Sequence, residues 1–101
     1  MPLKRFVVIG LGNFGAAAAE ALHADGHEVV ALDNDPQRVD EIAPFVTKAA
    51  VGDGRQLATL ERVGARGANA GIVSTGDDIT ASILSALALR DLKVPEIYVK
   101  V

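Results

Sequence analysis

At 101 residues, half of them hydrophobic and 23% charged, the chain is one small domain with enough apolar side chain for a core, and its composition excludes disorder. The formal net charge of −3 argues against a nucleic-acid partner, which needs a concentrated basic face. No stretch approaches the roughly 18 uninterrupted apolar residues of a membrane span, no signal-peptide pattern opens the chain, and the absence of cysteine removes disulfides and thiolate chemistry, a profile that fits a cytosolic protein.

Lys4 to Ile9 reads as a first strand, buried on both faces because it does not alternate. It runs into Gly10-Leu11-Gly12-Asn13-Phe14-Gly15, three glycines at the spacing G-x-G-x-x-G. A helix from Asn13 to about Asp25 follows, with Phe14, Ala17, Ala18, Ala21 and Leu22 as its expected core stripe, and Gly26 beyond its end. Glu28 to Leu32 is a second strand, ending at Asp33. Asp35-Pro36 is a helix-start signal, and Pro36 to Ala43 is a short helix with Val39 and Ile42 inward.

Phe45 to Val51 is a weaker third strand, closed by Gly52-Asp53-Gly54. Arg55 to Val63 is a third helix, with Leu57, Leu60 and Val63 on one side and Gly64 ending it. Ala70 to Ser74 is a fourth strand, followed by Thr75-Gly76-Asp77-Asp78 and a long helix to about Leu92. That helix is apolar nearly all round, which predicts burial on two sides: the sheet on one, and a partner subunit or a further part of the chain on the other. Glu96 to Val101 is a fifth strand. Strands and helices alternate, so the predicted fold is α/β, a Rossmann-like doubly wound parallel sheet with right-handed crossovers and helices on both faces. A complete dinucleotide fold has six strands. This chain supplies five, and its end inside an apolar strand suggests one lobe, residues 1–101, of a longer protein.

Ligands of such sheets sit at the carboxyl ends of the strands, where the strand order reverses. Gly10 suits a tight turn, Gly12 a close approach of backbone to phosphate, and Gly15 the packing of helix on strand. Phosphates would lie at the helix N-terminus, where N–H groups and the dipole favour an anion. Asp33, eighteen residues after Gly15, stands where a ribose hydroxyl would be bound, with Asn34 beside it; a solvated loop acid is the plain alternative. A carboxylate there would repel a 2′-phosphate, which disfavours NADP. Asp53 and Gly54 are either an adenosine contact or an ordinary turn. Thr75 or Asp77 either caps the long helix or, with Gly76, faces the ligand, and Lys100 joins the same end of the sheet. His23 and His27 flank a helix C-terminus without further ligands at metal spacing, so no metal site is expected. No Ser/His/Asp arrangement and no carboxylate pair with a nearby base is present, so no catalytic residues are assigned.

These segments, from Gly10–Gly15 through Leu32-Asp33-Asn34-Asp35 and Val51-Gly52-Asp53-Gly54 to Ala68–Asp78, resemble the nucleotide-binding lobe of the KTN, or RCK, domains of TrkA-N type, which regulate potassium channels and transporters. The resemblance covers almost the whole chain. It implies a Rossmann lobe binding NAD(H), ATP, ADP or AMP, with Gly10, Gly12 and Gly15 as the phosphate turn, Asp33 as the ribose acid, Asp53 beside adenosine and Thr75-Gly76 at the far end of the ligand. It further implies a cytoplasmic homodimer assembling into a ring, usually an octamer, under a membrane potassium channel or transporter whose conductance follows the ligand. Three positions depart from the family. Asn13 stands where ATP-responsive members often carry Arg, Ser82 where an asparagine is common, and Lys100 where many have Arg. The family's usual crossover to a C-terminal lobe is absent. The expected function is therefore regulatory and not enzymatic; the alternative is the cofactor domain of an NAD-dependent dehydrogenase without its catalytic half.

Overall fold

The computed structural model describes residues 3–100. Its centre is β1 (Arg5–Ile9), whose Val7, Val8 and Ile9 are shut off from solvent. A strand apolar on consecutive residues can be satisfied only between two layers. β1 pairs in parallel with β2 (Glu28–Asp33) on one side and β4 (Ala70–Val73) on the other, so that Val7 stands opposite both Val30 and Gly71. β3 (Lys48–Val51) and β5 (Glu96–Val99) form the edges, and the five-stranded order is β3-β2-β1-β4-β5. The expected parallel, Rossmann-like sheet is the observed one. Val101, assigned to the last strand from sequence, lies outside the described residues.

Alternate strand residues feed two cores. Val8, Val29 and Ala31 meet Ala19 of α1 (Asn13–Ala24) and Val39 and Ile42 of α2 (Pro36–Ile42). Val7, Ile9, Val30, Leu32 and Val73 meet Leu60 of α3 (Leu57–Arg62) and Leu89 of α4 (Ile79–Asp91). The crossover from β3 through α3 to β4 carries the chain past β1 and β2, which opens a crevice at the carboxyl ends of β1 and β4.

Several local expectations are corrected. The inward face of α1 is Gly15 and Ala19, with Ala16, Ala18 and Leu22 half-buried, whereas Phe14, Ala17 and Ala21 are exposed. The cause is the helix's close start. A Cβ on Gly15 would lie 1.9 Å from the Gly10 carbonyl oxygen, so the helix must present its smallest residue to the strand. α3 begins later than expected and Leu57 is exposed, because the Asp53 carboxylate accepts from the Arg55 amide at 2.9 Å and holds residues 53–55 in a turn. β3 is shorter because Ala43–Phe45 form a 3₁₀ turn. The cap of α4 is Asp78, which accepts from the Ala81 amide at 2.9 Å, rather than Thr75 or Asp77. Among the described residues no helix is long and apolar enough to cross a membrane.

Gly15→Ala is expected to lower stability by about 1–3 kcal/mol, since the added methyl meets a carbonyl that cannot move without opening the β1–α1 turn. A urea midpoint equal to that of the parent chain would contradict the packing described.

Candidate functional site

The glycine turn is fixed at both ends. Gly10 has φ +95°, and a Cβ there would fall 1.9 Å from the Ser74 carbonyl oxygen, so both conformation and space require glycine. Its amide donates to the Leu32 carbonyl at 2.9 Å, while Ser74 N–H donates to Ile9 O at 2.7 Å, which ties β1, β2 and β4 together at one point. The chain then enters α1 at Gly12, an N-cap that has no side-chain hydrogen bond to the helix. A Cβ on Gly12 would meet nothing nearer than the Arg38 guanidinium at 4.0 Å. The first-turn amides of α1 thus open on a space from which side chains are kept back, an electrostatic setting for an anion.

Asp33 is buried, 8% exposed, and not a solvated loop acid. One carboxylate oxygen accepts from the Leu11 amide at 2.7 Å, and the other from the Asp35 amide at 2.8 Å. The Arg38 guanidinium lies 3.9 Å from Asp33 and 3.8 Å from Asp35. Asp33 therefore clasps the glycine turn to the end of β2. Asp35 caps α2 by accepting from the Gln37 amide at 3.0 Å, as its place before Pro36 predicts.

Asp53 is engaged within its own turn. Besides the Arg55 amide it accepts from the Arg55 guanidinium, at 2.8 Å for the shortest contact, and that partnership holds its carboxyl below the usual carboxylate range. Thr75 donates its hydroxyl to the Asp78 carbonyl at 3.1 Å and accepts from Ser82 Oγ, so it locks the turn before α4. Gly76 follows with φ +66° and no heavy atom within 4 Å of where a Cβ would stand. Lys100 Nζ sits 5.8 Å from the centre of the Phe14 ring, a cation–π contact that joins the end of the sheet to α1.

These groups surround one cleft of about 620 Å³ at the carboxyl ends of the strands. Gly10, Gly12, Asn13, Phe14, Asp33, Asn34, Asp53, Gly54, Thr75, Gly76, Asp77 and Lys100 all line it. Gly15 does not; it lies behind the turn, against Gly10. Sequence reasoning missed Arg38, Arg55 and Ser85, which line the same cleft. Arg38 had a usable signal: it stands in the first turn of α2, where side chains lean back toward the helix start and hence toward Asp33. The histidine at the opposite end of the sheet has a plain structural role. His27 Nδ1 accepts from the Lys4 amide at 3.2 Å, and its ring meets Phe6 edge-on at 5.1 Å. Among the described residues no group of three or more His, Cys, Asp or Glu is placed to hold a metal ion.

Asp33→Ala removes the acceptor of two backbone amides, one of them, Leu11, in a buried residue. A loss of about 1–3 kcal/mol in ligand-free urea unfolding is expected. Unaltered stability would mean that the clasp does not operate.

Comparison with known proteins places the chain among its relatives. The TrkA-N domain model matches residues 6–101. The Ktr system potassium uptake protein C of Bacillus subtilis (strain 168) is 42% identical over 97 residues, 96% of this chain and 44% of that protein. The Ktr system potassium uptake protein A of Vibrio alginolyticus is 35% identical over the same shares. The chain thus spans less than half the length of these relatives. Among solved structures, the NAD(P)-binding domain of an exopolyphosphatase-related protein from Archaeoglobus fulgidus has a TM-score of 0.81 at 22% identity, over 97% of this chain and 73% of that one. The TrkA-N domain of the inner membrane protein ybaL from Escherichia coli has a TM-score of 0.71 at 13% identity, over 97% and 88%. The two structures show the fold. The family model, which matches all but the first five residues, shows more: the chain belongs to the TrkA-N domain family.

Proposed function

We propose that this domain is the nucleotide-binding regulatory module of a potassium uptake system and not an enzyme. The observation that carries the reading is the glycine turn, held by Asp33 through the Leu11 amide and leading into a helix start, Gly12 to Phe14, that lines an open cleft. A pyrophosphate or terminal phosphate would rest on the first turn of α1, and Arg38 supplies the cation that Asn13 does not. The ribose hydroxyls would reach the remaining lone pairs of Asp33 and the Asn34 side chain. The glycine-flanked turn at Asp53 would face the adenosine, and Thr75, Gly76, Asp77 and Lys100 the far end of the ligand. NAD(H), ADP, AMP and ATP are the candidates, with NADP disfavoured by the charge of Asp33.

Two features favour binding over catalysis. Asp33 is engaged by backbone amides and Asp53 by Arg55, so neither is poised as a proton carrier. The named relatives are potassium uptake proteins. Under this reading the partner is a membrane potassium transporter or channel, and the site of action is its cytoplasmic side. A second copy of the domain covers the outer face of α4, where Ile79, Ile83, Leu84 and Leu87 are exposed, on the way to a ring of such dimers. The nucleotide acts by differential affinity: it favours the assembly state that binds it better, and coupling of roughly 1–3 kcal/mol would shift a transport equilibrium about 5–150-fold.

Calorimetric titration with NADH, NAD, ADP, ATP and AMP tests the reading. At least one should bind, and Gly12→Val should abolish that binding while the domain stays folded, because the new side chain enters the cleft and not the core. Failure of all five ligands, or undiminished affinity in Gly12→Val, would overturn it.

A further inference from the structure

The first half of α4 is turned inside out. Its outer face carries Ile79, 71% exposed, with Ile83 and Leu84, whereas its inner face carries the buried Ser82 and Ser85. Ser82 has a structural partner in Thr75. Ser85 has none: it is 1% exposed, and its Oγ makes no hydrogen bond among the described residues, although it forms part of the wall of the cleft. A buried serine within a helix can satisfy itself on the carbonyl four residues earlier, here Ala81, and Ser85 does not. Buried hydroxyls without partners are rare in native proteins because losing hydration without replacement is unfavourable. In a cleft wall, such a hydroxyl is accounted for when something that enters the cleft completes it.

We propose that Ser85 Oγ is a ligand-contact group that hydrogen-bonds an uncharged polar edge of the bound nucleotide, a base or a carboxamide. The inference rests on the nucleotide-binding reading above and adds to it a residue that reads the ligand's chemistry. The class follows from the surroundings. Ile9, Gly54 and Ala81 line the cleft with Ser85 and carry no charge, and Asp77 and Asp78 line it at the start of α4, which is unfavourable for an anion there. Phosphates have their place at the N-terminus of α1. A hydroxyl both donates and accepts, so it can meet either a ring nitrogen or an amide, and it distinguishes a ligand with such an edge from one without.

The test is calorimetric titration of the parent chain and Ser85→Ala with NADH, ADP and AMP, beside thermal unfolding without ligand. Ser85→Ala should bind at least fivefold more weakly to one or more of them, while its ligand-free melting temperature stays equal or rises, since the variant removes an unsatisfied group. Loss with NADH alone assigns the contact to the nicotinamide half, and loss with all three to the adenosine half. Affinities within twofold of the parent would overturn the proposal, as would a lowered ligand-free melting temperature, which would make the hydroxyl a structural group. Binding of none of the three by the parent chain, nor of NAD or ATP, would instead remove the nucleotide reading on which the proposal stands.

Discussion

The structure depends on one buried hydrogen bond, from the Leu11 amide to the Asp33 carboxylate. It fastens the loop leaving β1 to the end of β2, and the second oxygen of the same carboxylate orients the chain entering α2. A charge-assisted bond of this kind is stronger than a neutral one, and its burial keeps water from competing. With Gly10 pinned against Ser74 on the other side, the turn has no freedom to close over its own amides. Donors held open in this way need no reorganisation when an anion arrives, which is the physical content of preorganisation.

Asp33 has an observed structural role and a proposed ribose-binding one, and substituting it changes both at once. Its position suits a ribose, yet its hydrogen bonds serve the fold. A variant that loses the carboxylate loses the turn's geometry as well, so weakened binding would not by itself assign a ligand contact. Gly12 separates the two, because it lines the cleft and a Cβ there would meet nothing nearer than the Arg38 guanidinium at 4.0 Å. Asp53 has the same ambiguity in milder form. Its carboxylate is held by Arg55, and a ligand that used it would have to displace or share that partner.

Much of this architecture was legible in the sequence. The unalternating strands, the glycine spacing and the acid at the end of β2 each have a single-residue cause, and the parallel sheet follows from their order. What was not legible depends on contacts between elements. The face of α1 turned away from the expected stripe because the closeness of Gly15 to Gly10 outweighed the burial of Phe14. The start of α3 moved because a local carboxylate turn won over helix propensity. The sequence of α4 is apolar nearly all round, which predicts that its leucines and isoleucines are buried, yet serines take the inner positions of its first half and the bulky residues remain outside. Gly71 shows how the sheet accommodates that helix: a Cβ there would lie 2.6 Å from Leu89 Cδ1, so the strand yields room to the one leucine that must enter. Arg38 and Ser85 reached the cleft through helix phase, which periodicity alone did not resolve for so short a helix and so uniform a one.

In the proposed mode of binding, an anion rests on the free amides at the start of α1, just past the Leu11 amide that Asp33 holds. Backbone amide chemical shifts recorded by NMR while ADP is added to the intact domain test it most directly. The account predicts that the largest changes fall on Gly12, Asn13 and Phe14, with smaller ones at Asn34 and Gly76. Binding that left residues 12–14 unmoved and shifted another surface would contradict it.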